Sequence, residues 1–182
     1  MIRKLKKKLF SWFLDSYKRK KQSQLRMDID HCLNTTKSMI ANGKYGIFIS
    51  NGNDGWCSAR LVQPIVDGEF SIWIGTNPKL RKVIEVENNS KVTFAYQDAK
   101  EDANLIIYGH ATIESSLQLR KKYWKPEWRL FFPLGPESKD YVLIRIEALK
   151  IEIMNFSKNI VPEPFGLKPV VIEKSDGTWA IS

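Results

Sequence analysis

The sequence predicts an α+β domain built on a small antiparallel β-barrel. Three observations lead there: short runs of β-branched and aromatic residues recur from about residue 44 to the C-terminus, Gly/Asn/Asp clusters separate them, and only short helical patterns interrupt them. A chain of 182 residues has room for one domain with a real core. Its 43% hydrophobic and 12% aromatic content excludes general disorder.

The elements follow in order. In "MIRKLKKKLFSWFLDSYKRKKQSQ", Ile2, Leu5, Leu9, Trp12 and Phe13 recur at three-and-four spacing with lysines between them, the pattern of an amphipathic basic helix. A second helix is predicted over residues 28–42, with Asp28 or Asp30 near its start and Asn42-Gly43 as its stop. "YGIFIS" reads as a strand, "NGNDG" as a turn, "WCSARLVQPIV" as a second strand, "DGE" as a tight turn and "FSIWIGT" as a third strand, together an antiparallel meander. "KLRKVIEVENN" places Leu80, Val83, Ile84 and Val86 on one helical face. "SKVTFAYQD" and "NLIIYGHATIES" return to strands, and "SLQLRKKYWKPEW" predicts a helix stopped by Pro126. The long strand "DYVLIRIEALKIEIMNF" follows, and Asp176-Gly177 predicts a closing hairpin turn with Val171, Trp179 and Ile181 as strand residues.

Charge divides the chain into an arm, residues 1–26, and a domain, residues 27–182. The arm holds ten basic residues against Asp15 alone, and ten minus one is the whole net charge of +9. The body is therefore neutral. A basic amphipathic helix suits an anionic membrane surface, and it equally suits packing on its own domain or on a partner subunit. Nucleic acid is not expected, because no aromatic and basic platform continues into the body. Cys32 and Cys57 offer no metal spacing or disulfide framework, and no apolar run reaches the roughly 18 residues that span a bilayer. Charge also interrupts anything resembling a signal peptide's apolar core, so a cytoplasmic location is expected.

Hydrolytic catalysis finds no support. His31 and His110 belong to no metal or triad motif, glycine patterns of dinucleotide and nucleotide loops are missing, and Asp98, Glu101 and Asp102 read as a solvated loop. What remains is "IGTNPKLRKVIEV" with Arg60 upstream. If residues 56–66 and 69–75 form a hairpin, Arg60 and the loop from Thr76 to Lys82 converge. A loop entering a helix presents backbone N–H groups, a Thr hydroxyl and the positive helix end, and an arginine adds a bidentate fork; that combination suits a phosphate. Taken alone, the same residues also suit a solvated basic surface.

The order of elements narrows the choice. Strand with Arg60, hairpin, strand, Gly75-Thr76, Arg81-Lys82, strand and then Gly109-His110-Ala111 resembles the FMN-binding split-barrel family that includes pyridoxamine 5'-phosphate oxidase, and in particular its general stress protein 26-like branch. "YWKPEWRLFFPLGPESKDYVLIRIEALKIEIMNF" resembles the same branch, and the resemblance covers roughly residues 30–156. It implies that Arg60 and Lys82 bind the FMN phosphate with Arg81 and Thr76 assisting. The backbone of Leu61, Val62 and Gly75 would line the flavin edge. Asn104 falls where relatives use an amide side chain. The resemblance further implies a homodimer with FMN at the interface, so that Trp124 or Trp128 reaches the partner's flavin; core packing is the other use of these two rings. Leu80 departs from the Ser or Thr of the family and removes one hydroxyl contact. "VVIEKSDGTWAIS" lacks the Arg-x-His type of substrate motif, so vitamin B6 oxidation is not implied. The expected function is a flavin-dependent oxidoreductase; the alternatives are a flavin or haem binder without turnover on the same fold, and a membrane-surface protein acting through its arm.

Overall fold

The structure, a computed structural model, describes residues 2–68, 70–161 and 168–182, with side chains from Lys6 onward in the first helix. Glu69 of the expected "DGE" turn and the side chains of Ile2 and Leu5 lie outside the described residues. Helix α1 covers Ile2–Gln22 and α2 covers Ile29–Asn42. Asp28 caps α2 by accepting the His31 N–H at 2.8 Å, and Gly43 ends it by donating to the Met39 carbonyl. Both boundaries agree with the sequence reading. The buried face of α2 presents Cys32, Met39 and Ile40 to the core.

Among the described residues nine strands form one open antiparallel sheet. They are β1 (Gly46–Asn51), β2 (Cys57–Val62), β3 (Ile65–Asp67), β4 (Ser71–Thr76), β5 (Lys91–Asp98), β6 (Ala103–Glu114), β7 (Val142–Asn155), β8 (Val170–Ser175) and β9 (Thr178–Ile181). The main path runs β2-β1-β5-β6-β7-β4-β3, and β8 and β9 attach beside the second half of β7. The expected meander is therefore corrected: β2 pairs with β1 alone, whereas β4 pairs with β3 and β7. "WCSARLVQPIV" is two strands rather than one, because Pro64 has no N–H to donate and breaks the ladder.

That break shapes the molecule. The two ends of the sheet path, β2 and β3, are separated in the chain by Gln63 and Pro64 only. The sheet must curl until its first and last strands almost meet, yet they do not pair. This is a split barrel. Its interior holds Phe48, Phe94, Leu105, Ile107, Ile144 and Ile151, all fully buried.

Strand β7 bonds β6 along its length, with an irregularity at Tyr108/Gly109: Tyr108 faces Lys150, but Gly109 faces Ala148. Leu149 is the extra residue. A Cβ built on Gly109 would stand 2.1 Å from the Glu147 carbonyl oxygen, a backbone atom that cannot swing away. Gly109→Ala is therefore expected to destabilise the fold by about 1–3 kcal/mol, checked by urea denaturation. At the C-terminal hairpin, Asp176 and Gly177 both adopt positive φ, as a type I′ turn requires, and Trp179 packs edge-on against Phe70.

Helix α3 (Arg81–Asn88) carries the segment with Lys82. Val83 and Val86 are buried as expected, but Leu80 and Ile84 face solvent and Glu85 takes the interior position instead. Helix α4 (Leu117–Lys122) ends before Pro126, which opens a separate 3-10 turn, Pro126–Leu130. This segment covers a second apolar cluster of Trp73, Tyr123, Trp128, Phe132, Tyr141 and Leu143, in which Trp73 and Tyr123 stack at 4.1 Å.

Candidate functional site

The site begins with strand alternation. Residues two apart on a strand share a face, and the β1–β2 register sets Phe48 opposite Arg60 and Ser50 opposite Ser58. Ser50, Ser58 and Arg60 thus gather on the face crossed by α3, and α3 delivers Glu85 to them. The carboxylate is 1% exposed. It accepts from Arg60 Nη2 at 2.6 Å, Ser50 Oγ at 2.6 Å and Ser58 Oγ at 2.9 Å, and it forms an ion pair with Arg81, whose Nε lies 3.1 Å away. Arg60 Nη1 also donates to Ser50 Oγ at 2.7 Å, and its guanidinium lies over the Phe48 ring. Burial would raise the Glu85 pKa, but the hydrogen bonds from Ser50, Ser58 and Arg60 and the arginine's charge outweigh it and hold the carboxyl below its usual 4.5.

Arg60 does converge with the start of α3, though by a route other than the expected hairpin. The anion that both arginines hold in this structure is internal. Glu85 is the residue that sequence reasoning missed. Its one signal was the Arg81-to-Glu85 spacing of four, which places the pair on one helix face.

Beside this network a cavity of about 810 Å³ opens at the split. Leu61, Val62 and Gln63 form one wall, the β4 end Ile74-Gly75-Thr76 another, Leu80 and Lys82 a corner, and Trp128 with Leu130, Phe131 and Phe132 the cover. Among the site residues read from the sequence, Leu61, Val62, Gly75, Thr76, Lys82 and Trp128 come together here. Gly75 is needed for closeness: a Cβ there would stand 2.6 Å from the Trp128 ring. Trp128 lines the cavity of its own chain, while Trp124 sits behind it, edge-on at 6.1 Å, and packs against Tyr141. Arg60 and Arg81 turn toward Glu85 rather than into the cavity. Asn104 lies at another recess, which shares Tyr45 and Leu61 with the cavity.

Two residues that line the cavity, Thr76 and Lys82, carry polar groups without partners among the described residues. Thr76 Oγ1 is buried with no hydrogen bond among the described residues, and burying a hydroxyl unpaired is costly. Lys82 is partly buried and forms no ion pair among the described residues; desolvation, and then the positive charge of Arg60, lower its pKa from 10.5. The histidines serve elsewhere: His110 Nδ1 is 3.0 Å from Ser90 Oγ, and His31 Nε2 is 2.9 Å from the Lys158 carbonyl. Asp98 caps its own turn, and Glu101 accepts from Asn155 at 2.7 Å. Both cysteines are free, Cys32 buried and Cys57 exposed.

The open antiparallel split barrel is an architecture shared with known proteins. Residues 33–165 match the family model described as "Pyridoxamine 5'-phosphate oxidase like", and the chain belongs to that family. Among solved structures it is similar to general stress protein 26 from Bacillus anthracis, with a TM-score of 0.61 and 22% identity over 68% of this chain and 94% of that one. It is also similar to a protein related to general stress protein 26 from Clostridium acetobutylicum, with a TM-score of 0.67 and 18% identity over 81% and 96% of the two chains. A third is a pyridoxamine 5'-phosphate oxidase-related, FMN-binding protein from Nostoc punctiforme, with a TM-score of 0.63 and 13% identity over 85% and 93%. At these identities the likeness is one of fold. No curated protein sequence matches the chain.

Proposed function

We infer that the protein binds FMN in the cavity at the split and acts in the cytoplasm as a flavin-dependent oxidoreductase. One observation carries the reading: an unpaired, partly buried Lys82 and an unpaired, buried Thr76 hydroxyl share one cavity with the positive start of α3. Both are groups that a phosphate satisfies. The local charge agrees: Arg60, Arg81, Lys82 and Lys44 against Glu85 and Glu127 leave four minus two, or two, positive charges, close to the roughly −2 of a phosphate monoester. In this reading Lys82 and Thr76 hold the ribityl phosphate. Arg60 and Arg81 supply field and fix the walls. The backbone of Leu61, Val62 and Gly75 lines the ring edge. When bound, the flavin supplies the redox chemistry, and the chain supplies anchoring, orientation and exclusion of water.

The same reading includes a homodimer. Leu61, Leu130 and Phe131 are large, apolar and exposed at the cavity mouth, and the recess with Asn104 adjoins it through Leu61, so a second copy seated there would bury apolar surface and close the site. The test is a visible spectrum of the purified protein, followed by titration with FMN and riboflavin and by sedimentation. Flavin bands, binding of FMN at least about tenfold tighter than riboflavin, and a dimer are expected. No flavin binding, or equal affinity for the two flavins, would overturn the site, and a Soret band would assign haem instead. Turnover is read from reduction of the bound flavin by a nicotinamide cofactor; a flavin that stays oxidised makes the protein a carrier.

A further inference from the structure

Helix α1 carries apolar surface and charge for which the body of the protein has no use. Its 21 residues extend for about 31 Å. Leu9, Trp12 and Phe13 are 64%, 65% and 62% exposed, and Phe10 and Tyr17 are exposed beside them. At 100° per residue Leu9, Trp12, Phe13 and Tyr17 share one side of the helix. Lys7, Lys8, Lys18, Arg19 and Lys21 occupy the other. Lys6 and Lys20 fall on the apolar side near its ends, where their long stems allow the ammonium groups to reach back to a polar boundary. Within Ile2–Gln22 nine basic residues stand against Asp15, a net of nine minus one, or +8.

Charge complementarity selects the occupant of this face. A second copy of the helix would bring another +8 against the first. Nucleic acid would use the charge but leave the aromatic side in water. An anionic bilayer surface satisfies both, with lysines among the headgroups and Leu9, Trp12, Phe13 and Tyr17 at the acyl boundary. None of the described helices is long and apolar enough to cross a membrane, so this helix would lie along the surface. We propose that α1 is an interfacial anchor that binds the protein to anionic membranes by inserting its Leu9–Trp12–Phe13 side. The proposal is independent of flavin binding, because none of the cavity residues belongs to α1.

The test uses the full chain and vesicles of phosphatidylcholine with or without about one-third phosphatidylglycerol, read by co-sedimentation with sedimentation velocity alongside. The intact protein is expected to pellet with the anionic vesicles and far less with neutral ones. Leu9→Gln/Phe13→Gln, which leaves the charge of the helix unchanged, is expected to weaken binding by at least about tenfold, because two apolar side chains lose their burial, while flavin content and oligomeric state stay unchanged. Failure of the intact protein to bind anionic vesicles would overturn the proposal. So would equal binding by the double variant, which indicates charge adsorption alone, and so would a change of oligomeric state in that variant, which assigns the face to a second copy.

Discussion

Replacing Arg60 with alanine is expected to destabilise the protein by about 3–5 kcal/mol, because it removes the main partner of a buried carboxylate. Glu85 is 1% exposed, and after the substitution it keeps only the two serine hydroxyls and the exposed Arg81. Urea denaturation measures the loss. Glu85→Gln added to Arg60→Ala is expected to recover a large share of it, since the amide no longer leaves a charge uncompensated, and the double-mutant cycle isolates the pair. The pH dependence follows from the direction of the shift. Glu85 is held below 4.5 in the folded state, so its stabilising contribution is complete above that value and is lost as pH falls through the lower folded pKa. Arg60→Ala should flatten that acid limb. A variant stable to within about 1 kcal/mol of the parent would mean that the pair does not hold β2 to α3.

Lys82→Ala is expected to do the converse. Lys82 forms no ion pair among the described residues, so its removal strands nothing and stability changes by less than about 1 kcal/mol. FMN affinity should fall by about 1.5–3 kcal/mol, roughly 10- to 150-fold, as for loss of one charge-assisted contact to the phosphate. Fluorescence titration measures it. Its pH profile carries a second signature. A bound phosphate favours protonated Lys82, whose pKa in the free protein lies below 10.5, so affinity should decline as pH rises through that lowered value. The phosphate's own second ionisation near 6 sets the opposite limb. Lys82→Ala should lose the alkaline decline and keep the acid one. Unchanged affinity in this variant would remove the phosphate anchor, whereas weakened FMN binding in Arg60→Ala must first be corrected for unfolding.

The features legible in the sequence are those set by local rules. Asp28 as cap, Gly43 as stop and Asp176-Gly177 as a positive-φ turn follow from the chemistry of single residues, and each appears where expected. In the structure, alternation on β2 sends Leu61 outward and Arg60 toward α3. Strand pairing was less accessible, because β2, β3 and β4 are neighbours in sequence and the meander is the simplest joining of them. Only the missing N–H of Pro64 hints that the ladder breaks there. The orientation of Arg60 was beyond reach for a different reason: an arginine that faces a helix start serves equally a ligand phosphate or a carboxylate one turn into that helix. Local pattern does not choose between them, and in this structure Arg60 pairs with the buried Glu85.

That carboxylate bears on the order of events in the life of the chain. Were Arg60, Arg81 and Lys82 gathered with no negative group among them, their mutual repulsion would oppose docking of α3 on β1 and β2 until an external anion arrived, and a newly made chain would depend on its cofactor to finish folding. Glu85 brings the counter-charge within the sequence, linked to Arg60 and Arg81 at 2.6 and 3.1 Å. The protein can therefore complete this part of its core with no external anion, and in the reading proposed above the supply of FMN would govern its activity rather than its abundance.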